Sequence, residues 1–164
     1  MAFEIAEKNK DIKFPSEWVD YPSGGKFKIR GIFQPEFRRV MEIVNAEQSL
    51  EADDISLISI DRINKRNEKL SLSVGSFLVE DWDGIELTTG EKLEYNKENV
   101  ELIFSKSKQS DNLITFVLNE ASRIQKDAIG QLNKEMGKSL KSTSTTTSTQ
   151  DSTTTKKRKG KPLG

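Results

Sequence analysis

The chain has 164 residues, which suits one domain plus an appendage, with 34% hydrophobic and 32% charged residues and a mean hydropathy of −0.64. It holds no cysteine and no histidine, which excludes disulfides and thiolate nucleophiles and removes the imidazole on which most general acid–base and zinc chemistry relies. The formal net charge is zero, yet from Lys138 onward seven basic residues stand against one acid, Asp151, leaving 19 basic and 25 acidic residues before it, so a body of about −6 precedes a tail of about +6.

In chain order, Phe3, Ile5, Ile12 and Phe14 offer a first strand. Trp18, Val19 and Tyr21 then run into Pro22-Ser23-Gly24-Gly25, a turn signal. Lys26 to Phe33 alternates polar and apolar over most of its length, which puts Phe27 and Ile29 on one face and predicts a hairpin. Pro35 suits the first turn of a helix, where its missing N–H costs nothing, and Phe37, Val40, Met41 and Val44 follow at helical spacing. Asp53 or Asp54 is placed to cap a second helix, the expected reading, although Ile55 to Ile60 is also compatible with a strand. Leu70, Val74, Phe77 and Leu78 form an apolar helical stripe that ends before Trp82, where a turn is expected. Asn96 caps a helix carrying Val100, Ile103 and Phe104. Asp111 opens the longest helix, with Leu113, Val117, Ala121, Ile124 and Ala128 on one face, Gly130 weakening it and Gly137 ending it.

These elements predict an α+β fold: a small antiparallel sheet or hairpin packed on four to five helices. The compact domain is placed at residues 1–137, β-rich over 1–33 and helical over 34–137, with a disordered Ser/Thr-rich and basic tail over 138–164. Between Ser139 and Thr155 only Leu140 is large and apolar, too little to offset the entropy of ordering the segment.

Three stretches invite a chemical reading. Glu80-Asp81-Trp82-Asp83-Gly84-Ile85 has carboxylates and a glycine, but a calcium loop needs its glycine two positions later and a glutamate where Lys92 stands; a structural turn is the better reading. Ser23-Gly24-Gly25-Lys26 lacks the spacing and the hydroxyl residue of a phosphate-binding loop, since Phe27 follows the lysine. Lys156, Lys157, Arg158, Lys159 and Lys161 form a basic cluster without an aromatic residue for base stacking. It reads first as a solubilising tail and second as a nonspecific polyanion contact. Arg38 and Arg39 beside Glu36 and Glu42 read as a solvated helix face. No metal site, cofactor or catalytic residue is expected, and an enzyme is the least favoured class.

Taken together, Pro22 through Phe37, Phe77 through Ile85 and Thr89 through Val100 carry a resemblance. The chain resembles the tail assembly chaperones of long-tailed bacteriophages, whose sequences show an I-x-x-W-x-G-[IV] element, a short hairpin with Gly and Leu, then [YF]-[ST]-x-E-N and a helix rich in Ala and Leu. Trp82, Asp83, Gly84, Ile85, Tyr95, Glu98 and Asn99 carry the match, which covers roughly residues 22 to 125. Asn96 stands where Ser or Thr is usual, and Ile55 to Lys69 and the Ser/Thr tract depart from the pattern.

The resemblance implies a protein that binds the tape-measure protein, keeps it soluble and recruits tail-tube subunits, in the host cytoplasm and outside the finished virion. It also implies a longer form made by programmed ribosomal frameshifting, for which A-rich codons at Lys156-Lys157 would serve. Partner binding is expected at apolar positions off the main stripe of the last helix, Ile114, Phe116 and Ile129. No apolar run approaches the roughly 18–20 residues that span a bilayer, so no membrane partner is expected. The alternatives are a structural minor tail or connector component, and a nucleic-acid-associated protein using the basic tail.

Overall fold

A computed structural model describes residues 14–142. The chain divides into two compact units, Met1–Gly130 and Gln131–Gly164.

The first unit opens with a hairpin. Strand β1 (Ser16–Asp20) pairs antiparallel with β2 (Lys26–Arg30), Val19 opposite Phe27. Between them Gly24 and Gly25 adopt positive φ, and the turn is closed by hydrogen bonds from the Tyr21 amide to the Gly25 carbonyl and from the Gly24 amide to the Tyr21 carbonyl. Phe27 and Ile29 are fully buried on one face, as the alternation predicts. Phe14 lies just outside β1, and the rest of the first expected strand falls outside the described residues.

Helix α1 (Pro35–Asp53) buries Phe37 and Val44 and leaves Val40 and Met41 half-buried. A short 3-10 turn over Ile55–Leu57 follows, then α2 (Ile60–Ser73). Asp54 accepts from the Ser56 amide and so caps the 3-10 turn, whereas Ser59 caps α2 through the Arg62 amide. The second helix therefore starts at Ile60, later than a cap at Asp53 or Asp54 would give, and residues 55–59 form no strand.

At its end α2 widens into a π-turn over Val74–Leu78, where Gly75, Val74 and Leu78 are buried. The chain then enters a third strand, β3 (Val79–Asp83), antiparallel to β2, giving the sheet order β1-β2-β3. This corrects the expectation that Trp82 sits in a turn and that the sheet is confined to residues before 34. Register explains why the strand is hard to read. Phe27 faces Trp82 and Ile29 faces Val79, with a bulge between. Val79 and Trp82 are three residues apart and would point to opposite faces in a regular strand; the extra residue turns both inward.

After β3, Gly84 takes positive φ, and an excursion closed by an isolated antiparallel bridge between Glu86 and Lys92 leads to α3 (Lys97–Glu101). Asn96 caps α3 by accepting from the Asn99 amide. A second π-turn, Leu102–Lys106, buries Phe104. Helix α4 (Ser110–Ser142) buries Leu113, Val117, Ala121 and Ile124, the stripe read from the sequence. The first unit is therefore a three-stranded sheet whose inner face packs on four helices, an α+β fold among the described residues.

In the second unit the described residues are Gln131–Ser142, all helical, and those from 131 to 138 are exposed. Gly137 does not end the helix, and neither Gly130 nor Gly137 has positive φ. The tail expected from residue 138 begins inside this helix; the remainder lies outside the described residues.

Candidate protein-docking surfaces

The residues of the sequence motif converge on one structural knot. The Trp82 indole donates to the Leu93 carbonyl at 2.7 Å and packs edge-on against Phe27 and Tyr95, with ring centroids 6.1 and 5.0 Å away. The Tyr95 hydroxyl donates to the Val79 carbonyl at 2.8 Å. Asn99 donates from its side chain to the Glu94 carbonyl, closing the loop before α3, and Glu98 lies exposed in the first turn of that helix. Asp83 pairs with Lys26 at 3.4 Å. Gly84 crosses Gly25: a Cβ on Gly25 would sit 2.5 Å from the Ile85 Cδ1 and 3.0 Å from the Gly84 carbonyl oxygen. Trp82, Tyr95, Asn99 and the Gly84–Ile85 pair hold the third strand, the loop after it and α3 together. Trp82, Tyr95 and Asn99 do so through bonds to backbone carbonyls, while Glu98 stays exposed.

Shifted titrations trace to burial or to ordinary pairing. Burial pushes the Tyr95 phenol above its usual value, with Asp81 and Glu80 adding to the shift and Arg30 opposing it. The hydrogen bond from Lys106 holds Glu101 below the usual carboxylate range and raises Lys106 in turn. Hydrogen bonds to Ser56 lower Asp54. Bonds to Glu120 and Glu17 raise Arg123, which ties β1 to α4 across 2.9 Å. Among the described residues no three of the metal-binding types cluster as a metal site would require, and the one buried side-chain atom without a partner is Gln34 Oε1.

The expected partner-binding positions on α4 separate. Ile114 and Phe116 are half-buried and pack against the core, Phe116 edge-on to Tyr21 at 5.0 Å. Neither stands free as periodicity suggested: Tyr21 at the hairpin turn covers Phe116, and Ile114 packs against the core. Ile129 is exposed. The basic positions Lys156, Lys157, Arg158, Lys159 and Lys161 lie outside the described residues.

Two other surfaces offer more. An open groove of about 500 Å³ is lined by Ile32, Phe33, Phe37, Met41, Leu70 and Leu118, with Arg38, Glu42 and Asn45 at its edge. Phe33 is 51% exposed and the Arg38 guanidinium lies 5.8 Å from its ring centroid. Pro35 forces the helix to start directly after this loop, and the Ile32 amide donates to the Ala121 carbonyl. The Phe33 side chain is therefore held outward beside the groove. A second groove of about 400 Å³ runs between the end of α1 and the start of α2. Leu50 lines it, and Ile55, Ile58 and Ile60, in the connection into α2 and at its start, are exposed as well. Sequence reasoning missed both; the signal for the second was an isoleucine-rich run between two helices that neither helix needs for its own stripe.

No helix among the described residues is long and apolar enough to cross a membrane. No curated protein and no solved structure matches the chain. The model of one family does, that of the YdaY prophage protein, over residues 32–138. That span takes in α1, α2, β3, α3 and most of α4, well over half of the chain, so the protein belongs to the YdaY prophage protein family and is of bacteriophage origin.

Proposed function

We propose that the protein is a non-enzymatic tail assembly chaperone that binds the tape-measure protein and recruits tail-tube subunits in the host cytoplasm, and that it leaves before the virion is complete. The observation that carries this reading is the apolar groove beside Phe33, with Arg38 at its edge. A tape-measure protein is long and helical. An amphipathic helix laid into a groove anchors itself through residues at i, i+3 or i+4 and i+7, and a trough walled by α1, α2 and α4 suits that mode. The phage origin and the resemblance of Trp82-Asp83-Gly84-Ile85 and Tyr95-x-x-Glu98-Asn99 to that group support the same conclusion. The motif residues contribute by fixing the fold rather than by touching the partner.

The test is affinity capture with this protein as bait in cells assembling tails, set against mass spectrometry of purified particles. Recovery of a very long helical protein and of tube subunits, with the bait missing from particles, is the expected result. Stoichiometric presence in particles would instead make the protein a structural tail component. Charge reversal of Arg38 together with Phe33→Ser should reduce the capture at least tenfold, in keeping with the loss of an aromatic anchor.

A further inference from the structure

The groove between α1 and α2 differs from the one beside Phe33 in its chemistry and shares none of its lining residues. Arg62, Lys65, Arg66 and Lys69 stand three, four and seven residues apart, which places them along one face of α2. Opposite them, α1 supplies two carboxylates. Glu51 pairs with Arg66, both nearly buried, and Glu47 pairs with Lys69 at 3.0 Å. Those two pairs neutralise the far end of the groove. Arg62 bonds to the Leu57 carbonyl at 3.3 Å, and neither it nor Lys65 meets a carboxylate among the described residues.

No nearby acid among the described residues bridges either cation. Asp54 is committed to the Ser56 amide and hydroxyl, and Asp61 and Glu68 form no bridge to either cation. Leu50 and Leu57 line the same groove, and on either side of Leu57 in the chain Ile55, Ile58 and Ile60 are exposed, Ile55 and Ile60 more than three-quarters so. Two cations without a bridging carboxylate, in a groove that Leu50 and Leu57 also line and that a run of exposed isoleucines adjoins in the chain, describe the complement of their occupant. No aromatic residue lines the groove, so it lacks the stacking platform that single-stranded nucleic acid requires.

We propose that this groove is a docking site for an acidic amphipathic helix of a partner protein, its carboxylates meeting Arg62 and Lys65 and its apolar face covering Leu50, Ile55, Ile58 and Ile60. Electrostatic complementarity of this kind selects the partner and speeds encounter, while the aliphatic cluster supplies retention. The site does not depend on the tape-measure reading: a chaperone with two grooves of different chemistry would hold two partners, but an acidic helix binds here whatever protein carries it.

The experiment uses the full chain and two fluorescein-labelled synthetic peptides of about 20 residues, long enough to form a helix on binding. Both carry leucine on one face; one has glutamate and the other lysine on the opposite face. Fluorescence anisotropy should show the glutamate peptide binding at least about tenfold tighter, with the difference shrinking as salt rises from low to physiological levels. In the Arg62→Glu, Lys65→Glu double variant the preference should reverse. Both positions are exposed, and unchanged thermal unfolding would show that the variant folds. Leu50→Ser with Ile58→Ser should weaken the glutamate peptide while leaving the sign of the preference intact.

Equal binding of the two peptides, or a charge-reversed variant that keeps the original preference, would overturn the proposal. So would a dimer in sedimentation that Ile55→Ser and Ile60→Ser dissociate, since a second copy would then cover the surface. Competition by duplex DNA that survives loss of the basic tail cluster would equally assign the groove to another class of ligand. Each of these results leaves the capture of tape-measure protein through the Phe33 groove untouched, so the two readings fail separately.

Discussion

Tyr95 holds a phenol among backbone carbonyls, and its chemistry there is one-directional. Only the neutral hydroxyl can donate to the Val79 carbonyl at 2.8 Å and the Gly75 carbonyl at 3.3 Å, and burial raises its pKa above the usual 10.0. Because the folded-state value is raised, its contribution is fully present below pH 10 and is lost as pH climbs through the folded-state pKa. The denaturant midpoint should therefore fall above pH 10, and Tyr95→Phe should flatten that part of the fall. At neutral pH the same substitution should cost about 1–2 kcal/mol, the range for a hydrogen bond that leaves a carbonyl unpaired. Gly75 makes a second test at this scale. Alanine ordinarily favours a helix over glycine by about 1 kcal/mol, but a Cβ at Gly75 would sit 2.6 Å from a Phe104 ring carbon and 2.7 Å from a Val100 methyl. Overpacking costs about 1–3 kcal/mol, so the clash wins and Gly75→Ala should lower the urea midpoint.

Helix starts follow rules that short stretches of sequence carry in full. Asn96 accepts from the Asn99 amide at 2.8 Å, and Asn96→Ala should cost about 1 kcal/mol and speed amide exchange in the first turn of α3. Ser59 makes the same kind of cap at 3.3 Å and should matter less when replaced by alanine. The cap of α3 and the buried stripes of α1 and α4 were legible because each depends on residues within about one turn of one another. The hairpin was legible for the same reason, its turn and its alternation being local. What stayed hidden was non-local. Strand β3 carries three acids in Val79-Glu80-Asp81-Trp82-Asp83, poor strand formers on their own. Its place at the sheet edge comes from pairing with β2 some fifty residues earlier, through Lys28–Glu80 at 3.2 Å and Phe27 opposite Trp82. The bulge then breaks the alternation that would have announced it. Likewise Phe116 reads as spare from helix periodicity alone, because only the fold brings Tyr21 against it.

At the scale of the whole molecule, apolar residues divide between two tasks. One set, including Phe104, Ile29, Val74 and Val117, is completely buried in the first unit, where removing a large side chain costs about 3–5 kcal/mol. Another set lies in the open at the α1–α2 junction, with Ile55 79% and Ile60 76% exposed. Isolated exposed apolar side chains need no explanation, but a contiguous group marks a surface meant to be covered. If that group served the fold, its loss would register in stability; if it serves a partner, stability and binding should come apart. Ile55→Ser and Ile60→Ser should each change the free energy of unfolding by no more than about 0.5 kcal/mol, as surface substitutions do. Phe104→Ala, by contrast, should lower it by several kcal/mol. Urea denaturation measures the first quantity, and titration with an acidic amphipathic peptide measures the second. The serine variants should lose affinity while unfolding at the wild-type midpoint, and a stability loss as large as that of Phe104→Ala would return these isoleucines to the core.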